Sequence, residues 1–193
     1  LFLIKNENTM FTLVDLYFSC IIAVEILVTL IFLLLRGKIE ILKDNLRFYI
    51  DIKVIIEAVI PILAIAYLIS IFIPSQRIEI PSLLVLSIFV APVFEEIFFR
   101  GLLIGTIHSL LTKRKDFDRK NTALLLITIN PFIFAAFHIL NTFTFQIQGF
   151  IIKLATGFIF AMFYWYGKRN LIPVITAHAI YNLLVNLCFF NYL

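Results

Sequence analysis

The chain has 193 residues, of which 62% are hydrophobic and 15% charged, with a mean hydropathy of +1.05. Soluble domains are nearer half apolar and about a quarter charged, so composition excludes an ordinary soluble domain and predicts an integral membrane protein. The net charge of +4 does not point to nucleic acid, because the basic residues fall between apolar runs rather than along one face.

A spanning helix needs about 20 apolar residues, and six segments qualify, at approximately 16–35, 54–73, 83–107, 122–140, 149–166 and 171–190. Backbone polar groups in lipid must be satisfied within the segment, and none of the six alternates like a barrel strand, so each is read as a helix. The expected fold class is all-α, a polytopic membrane helix bundle of about six transmembrane helices. Residues 1–80 form an N-terminal two-span segment and 81–193 the core of the same bundle. Turn formers mark the linkers: Gly37, Pro74-Ser75, Pro81-Ser82, and a tight hairpin at Gly167-Lys168-Arg169-Asn170.

Of the sixteen Lys and Arg residues, twelve lie in the linkers after the first, third and fifth segments, and only Lys5 and Arg77 lie on the opposite side. Cytoplasmic loops are enriched in these residues, so the alternation predicts six spans with both termini outside, in a bacterial plasma membrane. No charged leader precedes the first apolar run, and no cleavable signal peptide is expected. Cys20 and Cys188 sit in apolar runs without metal-ligand spacing and are expected as buried free thiols, a disulfide being the alternative.

The third segment contains Ala91 to Gly101, "APVFEEIFFRG". An intramembrane charge costs about 2.5 to 3.5 kcal/mol on the insertion scale, so Glu95, Glu96 and Arg100 must face the bundle interior or a water-filled cavity. Glu96 and Arg100, four apart and acid first, can pair. Glu95 is turned about 100° away and is left for another role. Pro92 lacks an N–H and can open the helix nearby. An ion pair that merely locks helices needs no second carboxylate.

Later segments supply matching groups. The fourth carries "FAAFH", ending in His138, and the sixth carries "HAIYN", placing His178 and Asn182 four apart on one face. A carboxylate and a neutral imidazole can hold and deprotonate a water, while a second His and an Asn amide can stabilise an oxyanion. Equally, Glu95, His138 and His178 form a ligand set that catalytic zinc accepts, so the cofactor is either none or a divalent metal. H-E-x-x-H and G-x-S-x-G are absent, and no Cys lies near a His in sequence. His108 is read as an interface residue, Glu25 as facing the bundle, and Glu57 and Lys153 as snorkelling near span ends. Gly157 and Ala161 are read as a close helix contact.

"EEIFFR", "FAAFH" and "HAIYN", in this order within a polytopic chain, resemble the E-E-x-x-x-R, F-x-x-x-H and H-x-x-x-N motifs of the CPBP intramembrane proteases. This family takes in the type II CAAX prenyl endopeptidases and the Abi proteins linked to bacteriocin processing and self-immunity. The resemblance covers about Pro81 to Leu187, and "GKRNLIPVITAH" keeps only the general shape of the family's approach to its last motif. It implies an intramembrane endopeptidase acting on a membrane-associated, prenylated or bacteriocin-related peptide. Glu95 and His138 would position and activate the water, Glu96 would be the second motif carboxylate, supported by Arg100, and His178 with Asn182 would stabilise the oxyanion. Family members are described both as metalloproteases and as metal-independent glutamate proteases, and Glu plus His suffices for the second.

At 1.5 Å per residue, His138 would lie about 24 Å and His178 about 10 Å from the cytoplasmic side. Vertical straight helices would keep them apart, so the fourth segment is expected to be tilted, displaced, or broken at Asn130-Pro131. Two other functions compete with proteolysis: a proton- or ion-coupled transporter using the buried Glu and His groups, and a non-catalytic immunity or scaffold protein. Membrane lipid and a membrane-associated peptide or protein substrate are the partners expected.

Overall fold

The computed structural model describes residues 27–31, 34–35, 40–72, 86–113, 118–142 and 147–190. Their helices are α1 (Glu40–Asn45), α2 (Ile52–Phe72), a continuous helical stretch α3 over 86–111, α4 (Arg119–Thr142), α5 (Ile147–Tyr166) and α6 (Leu171–Phe190). Among the described residues there is no strand, only one isolated bridge between Arg47 and Asn170. The molecule is all-α, and α4 and α5 contain stretches long and apolar enough to cross a membrane. Helices α2 to α6 coincide with the second to sixth predicted segments. Most of the first segment, with Cys20 and Glu25, lies outside the described residues, as does the Cys188 side chain.

Helix ends follow local chemistry. Asp51 Oδ1 accepts from the Val54 N–H at the start of α2, and Asp118 Oδ2 accepts from the Asn121 N–H at the start of α4, satisfying donors that have no partner within the helix. Asn170 Oδ1 does the same for Ile172 in α6. The core between α2, α3, α5 and α6 is built from Ala58, Ile62, Ile104, Phe160, Tyr164 and Ala177.

The linker after the first segment is not featureless, because it folds into α1. Leu42, Asn45 and Leu46, at helical spacing, are fully buried against α3 at its two glycines. A Cβ at Gly101 would strike Leu46, and one at Gly105 would strike Asn45 and the Tyr164 hydroxyl. That hydroxyl donates to Asn45 O at 2.8 Å.

Helix α3 is irregular. Leu86–Val90 and Ile97–Thr106 are wound as π-helix around an α-helical turn, Ala91–Glu96. Such turns are rare and recur at functional sites; here they flank the two glutamates. Pro92, in the first turn of Ala91–Glu96, has no N–H to contribute where the winding changes.

The expected break at Asn130-Pro131 does not occur. Helix α4 runs through Pro131, while Asn130 Nδ2 donates to Phe99 O at 2.8 Å and ties α4 to α3. Arg119 O receives a hydrogen bond from His108, and α4 rises about 22 Å from there to Phe134. Helix α5 covers only about 14 Å between Gly157, which packs on Phe134, and Tyr166. Helix α4 packs on α5 at Gly157, and His138, one turn past Phe134, stands 3.5 Å from Glu95 of α3.

The α5–α6 hairpin is tight, as expected, with Lys168 (φ 57°) and Arg169 (φ 64°) both left-handed. Each costs about 1 kcal/mol or more without glycine. Arg169 is held in place by donating to Asn45 Oδ1 (2.7 Å), Ser109 Oγ (3.0 Å) and His108 Nδ1 (3.2 Å), with its guanidinium over Trp165.

Candidate active site

The segment Ala91–Glu96 places Glu95 and Glu96 on adjacent faces. Glu96 points into the protein with Arg100, both 0% exposed, and their Oε2 and Nε atoms are 3.1 Å apart. They attract as charges without a directed hydrogen bond. Arg100 Nη2 donates to Gly157 O at 3.2 Å, and its guanidinium lies 4.5 Å from the Phe134 ring centre and 5.4 Å from that of Phe160. A desolvated cation over aromatic faces gains about 2 kcal/mol, which offsets part of the cost of burying Arg100.

The other oxygen of Glu96, Oε1, is 2.8 Å from His178 Nδ1. A carboxylate paired with a guanidinium only accepts, so Nδ1 carries the proton and His178 Nε2 is a bare acceptor in the neutral ring. The ring is stacked on Phe160, with centroids 4.8 Å apart, and this fixes its plane. His138 obeys the same logic. Its Nδ1 is 2.9 Å from Phe134 O, and a carbonyl accepts only, so Nε2 is again bare.

Both bare nitrogens converge on one atom. Glu95 Oε2 is 3.5 Å from His138 Nε2 and 3.8 Å from His178 Nε2. This oxygen is buried and has no hydrogen-bond partner among the described residues. Three acceptors facing one another require a proton, a water or a cation between them. Glu95 and His138 keep 14% and 17% side-chain exposure against 2% for His178, so the Glu95–His138 side is the more open part of the site. Asn182 lies one turn beyond His178 on α6 and is half-buried.

The donor chemistry suits a divalent metal: two imidazole nitrogens and a carboxylate oxygen, with each ring's other nitrogen donating to a carbonyl or carboxylate as metal-bound histidines do. Spacing is less decisive. Donor atoms on a tetrahedral zinc stand about 3.3 Å apart, and acceptors sharing one water about 4.5 Å. The distances of 3.5 and 3.8 Å fall between these limits, and among the described residues no three His, Cys, Asp or Glu side chains already stand at ligand spacing.

Lys153 reads as a snorkelling side chain near a span end, yet the structure leaves it half-buried, with Nζ 5.9 Å from the centre of the Tyr181 ring. The available signal was its stripe on α5, four residues before Gly157 and seven before Phe160. Glu57 pairs with Lys53 at 3.9 Å at the surface, away from the site. His108 is part of the Arg169 cluster: Nδ1 accepts from Arg169 and Nε2 donates to Arg119 O at 3.1 Å.

No curated protein and no solved structure is significantly similar to the chain. The family described as type II CAAX prenyl endopeptidase Rce1-like matches residues 77–184, more than half of the sequence and the whole of the described site. The chain belongs to the Rce1-like type II CAAX prenyl endopeptidase family.

Proposed function

We propose that this protein is an intramembrane endopeptidase that hydrolyses a peptide bond of a membrane-associated, prenylated peptide with a water held by Glu95 and His138. The observation that carries the reading is the convergence of two bare imidazole nitrogens on the unpartnered Glu95 Oε2. A water there would donate to Glu95 and His138 and direct a lone pair at a carbonyl carbon.

On attack, the water proton moves to Glu95 or His138 and the C–O bond forms. The carbonyl π pair becomes an oxyanion, which the Asn182 amide stabilises, joined by His178 only when its Nε2 carries a proton. As the oxyanion collapses, the C–N bond breaks and the stored proton goes to the leaving amine. Glu96 and Arg100 are positioning residues, because Glu96 holds the His178 Nδ1–H and Arg100 holds Glu96 in place. If a divalent metal binds, Glu95, His138 and His178 would hold it, and it would supply an activated water and Lewis acidity.

The charge alternation in the linkers supports an orientation with both termini outside. The test is cleavage of S-farnesyl-cysteine peptides by the purified protein, with products identified by mass and with and without a chelator. Wild-type protein should cleave and Glu95→Ala should not, while a variant with full activity would refute the assignment. Loss with chelator and recovery with zinc would assign the same three residues to a metal.

A further inference from the structure

The tautomer of His178 leaves a gap in the site. Its one N–H is donated to Glu96 at 2.8 Å, so the neutral ring offers an oxyanion nothing but a lone pair. It can donate from Nε2 only after gaining a proton. Of the groups assigned to the oxyanion, only the Asn182 amide is a donor from the start, and it carries no charge.

Lys153 stands where the missing charge is needed. It shares the face of α5 that already builds the site: one turn on, Gly157 O accepts from Arg100, and two turns on, Phe160 stacks on His178. The ammonium lies over Tyr181, the residue immediately before Asn182 and three past His178. Among the described residues no carboxylate is within 4.0 Å of Nζ, so its four-carbon stem is free to deliver the charge. A lysine within the apolar run "FIIKLATGFIF" carries an insertion cost that intramembrane lysines retain for function.

Charge bookkeeping points the same way. Glu96 and Arg100 neutralise each other, whereas Glu95 has no cation in contact. When water attacks and Glu95 takes its proton, the negative charge leaves the carboxylate and appears on the substrate oxygen. A cation on a long stem that reached both places would stabilise the charge before and after the transfer.

We propose that Lys153 is the cationic member of the oxyanion site, holding with Asn182 the negative charge that passes from Glu95 to the substrate carbonyl oxygen. The inference rests on the hydrolytic reading above and adds a catalytic residue to it. It requires Lys153 to matter for the tetrahedral, anionic state and little for the substrate itself.

The test compares wild type, Lys153→Met and Lys153→Arg, each reconstituted in nanodiscs, in binding two S-farnesyl-cysteine peptide isosteres. One is a phosphinic peptide, tetrahedral and anionic, and the other a hydroxyethylene peptide, tetrahedral and neutral. Lys153→Met should bind the phosphinate about 100-fold more weakly, with hydroxyethylene affinity within about threefold and kcat falling while KM holds. Lys153→Arg should recover much of the phosphinate affinity. Unchanged phosphinate binding, equal losses for both isosteres, or a rise in KM alone would overturn the proposal. Wild type binding neither isostere, or Glu95→Ala cleaving normally, would overturn the hydrolytic reading itself.

Discussion

Replacing Arg100 by Met removes a guanidinium that is 0% exposed and makes one ion pair, one hydrogen bond to Gly157 O, and close contacts with Phe134 and Phe160. Met fills much of the same space against those rings, so packing loss is the smaller part. The larger part is Glu96, left as a buried carboxylate with His178 as its remaining partner at 2.8 Å. Stranding one member of a buried pair costs about 3 to 5 kcal/mol. Changing Glu96 to Gln in the same protein removes the stranded charge, while the Gln carbonyl still accepts from His178 Nδ1. Arg100→Met should therefore lose about 3 to 5 kcal/mol, Glu96→Gln should lose a similar amount by stranding Arg100, and the double variant, which strands neither charge, should be more stable than either single variant. Unfolding in mixed micelles, followed by the fluorescence of the single Trp165, measures all four corners of the cycle. A loss below about 1 kcal/mol for Arg100→Met, or a double variant as unstable as it, would refute the reasoning.

Gly157→Ala sets two effects against each other. Alanine favours a helix by about 1 kcal/mol, but its Cβ would stand 3.1 Å from Phe134 Cδ1 and 3.3 Å from Pro131 Cα. The latter is backbone and yields only if α4 moves. Movement of α4 carries His138 away from Glu95, so kcat should fall at least tenfold, and an unimpaired, stabilised variant would contradict the packing described. His108, beyond the third apolar run, is held below the ordinary histidine pKa first by desolvation and then by the Arg169 and Arg119 charges. The unfolded chain therefore takes up this proton first as pH falls. His108 thus makes stability fall as pH drops below about 6.5. Denaturation at pH 7.5 and 5.5 should show this slope in wild type and a shallower one in His108→Gln; equal slopes would assign the effect elsewhere.

The helical segments were legible because 20-residue apolar runs in a low-charge chain have few alternatives, and α2 to α6 lie where hydropathy places them. Helix α1 escaped notice because only Leu42 and Leu46 mark its buried face, over six residues rich in charge. The site residues were visible one by one, as ionisable groups in oily helices are costly unless used. Their meeting was not visible, since it depends on how an unbroken α4 packs against α3 and α5. Tautomers also lay beyond the sequence: they follow from Phe134 O and Glu96 Oε1, whose approach to the two rings is tertiary.

The two adjacent glutamates separate chemistry from positioning, and comparing kcat/KM for Glu95→Gln and Glu96→Gln in one folded preparation tests that division most directly. Glu95→Gln removes the base that faces the water and should lower kcat/KM by about 10³-fold or more. Glu96→Gln keeps an acceptor for His178 Nδ1 and should cost about 10- to 100-fold. A Glu95→Gln enzyme within tenfold of wild type, or a folded Glu96→Gln enzyme more impaired than it, would contradict the assignment of Glu95 as the catalytic carboxylate.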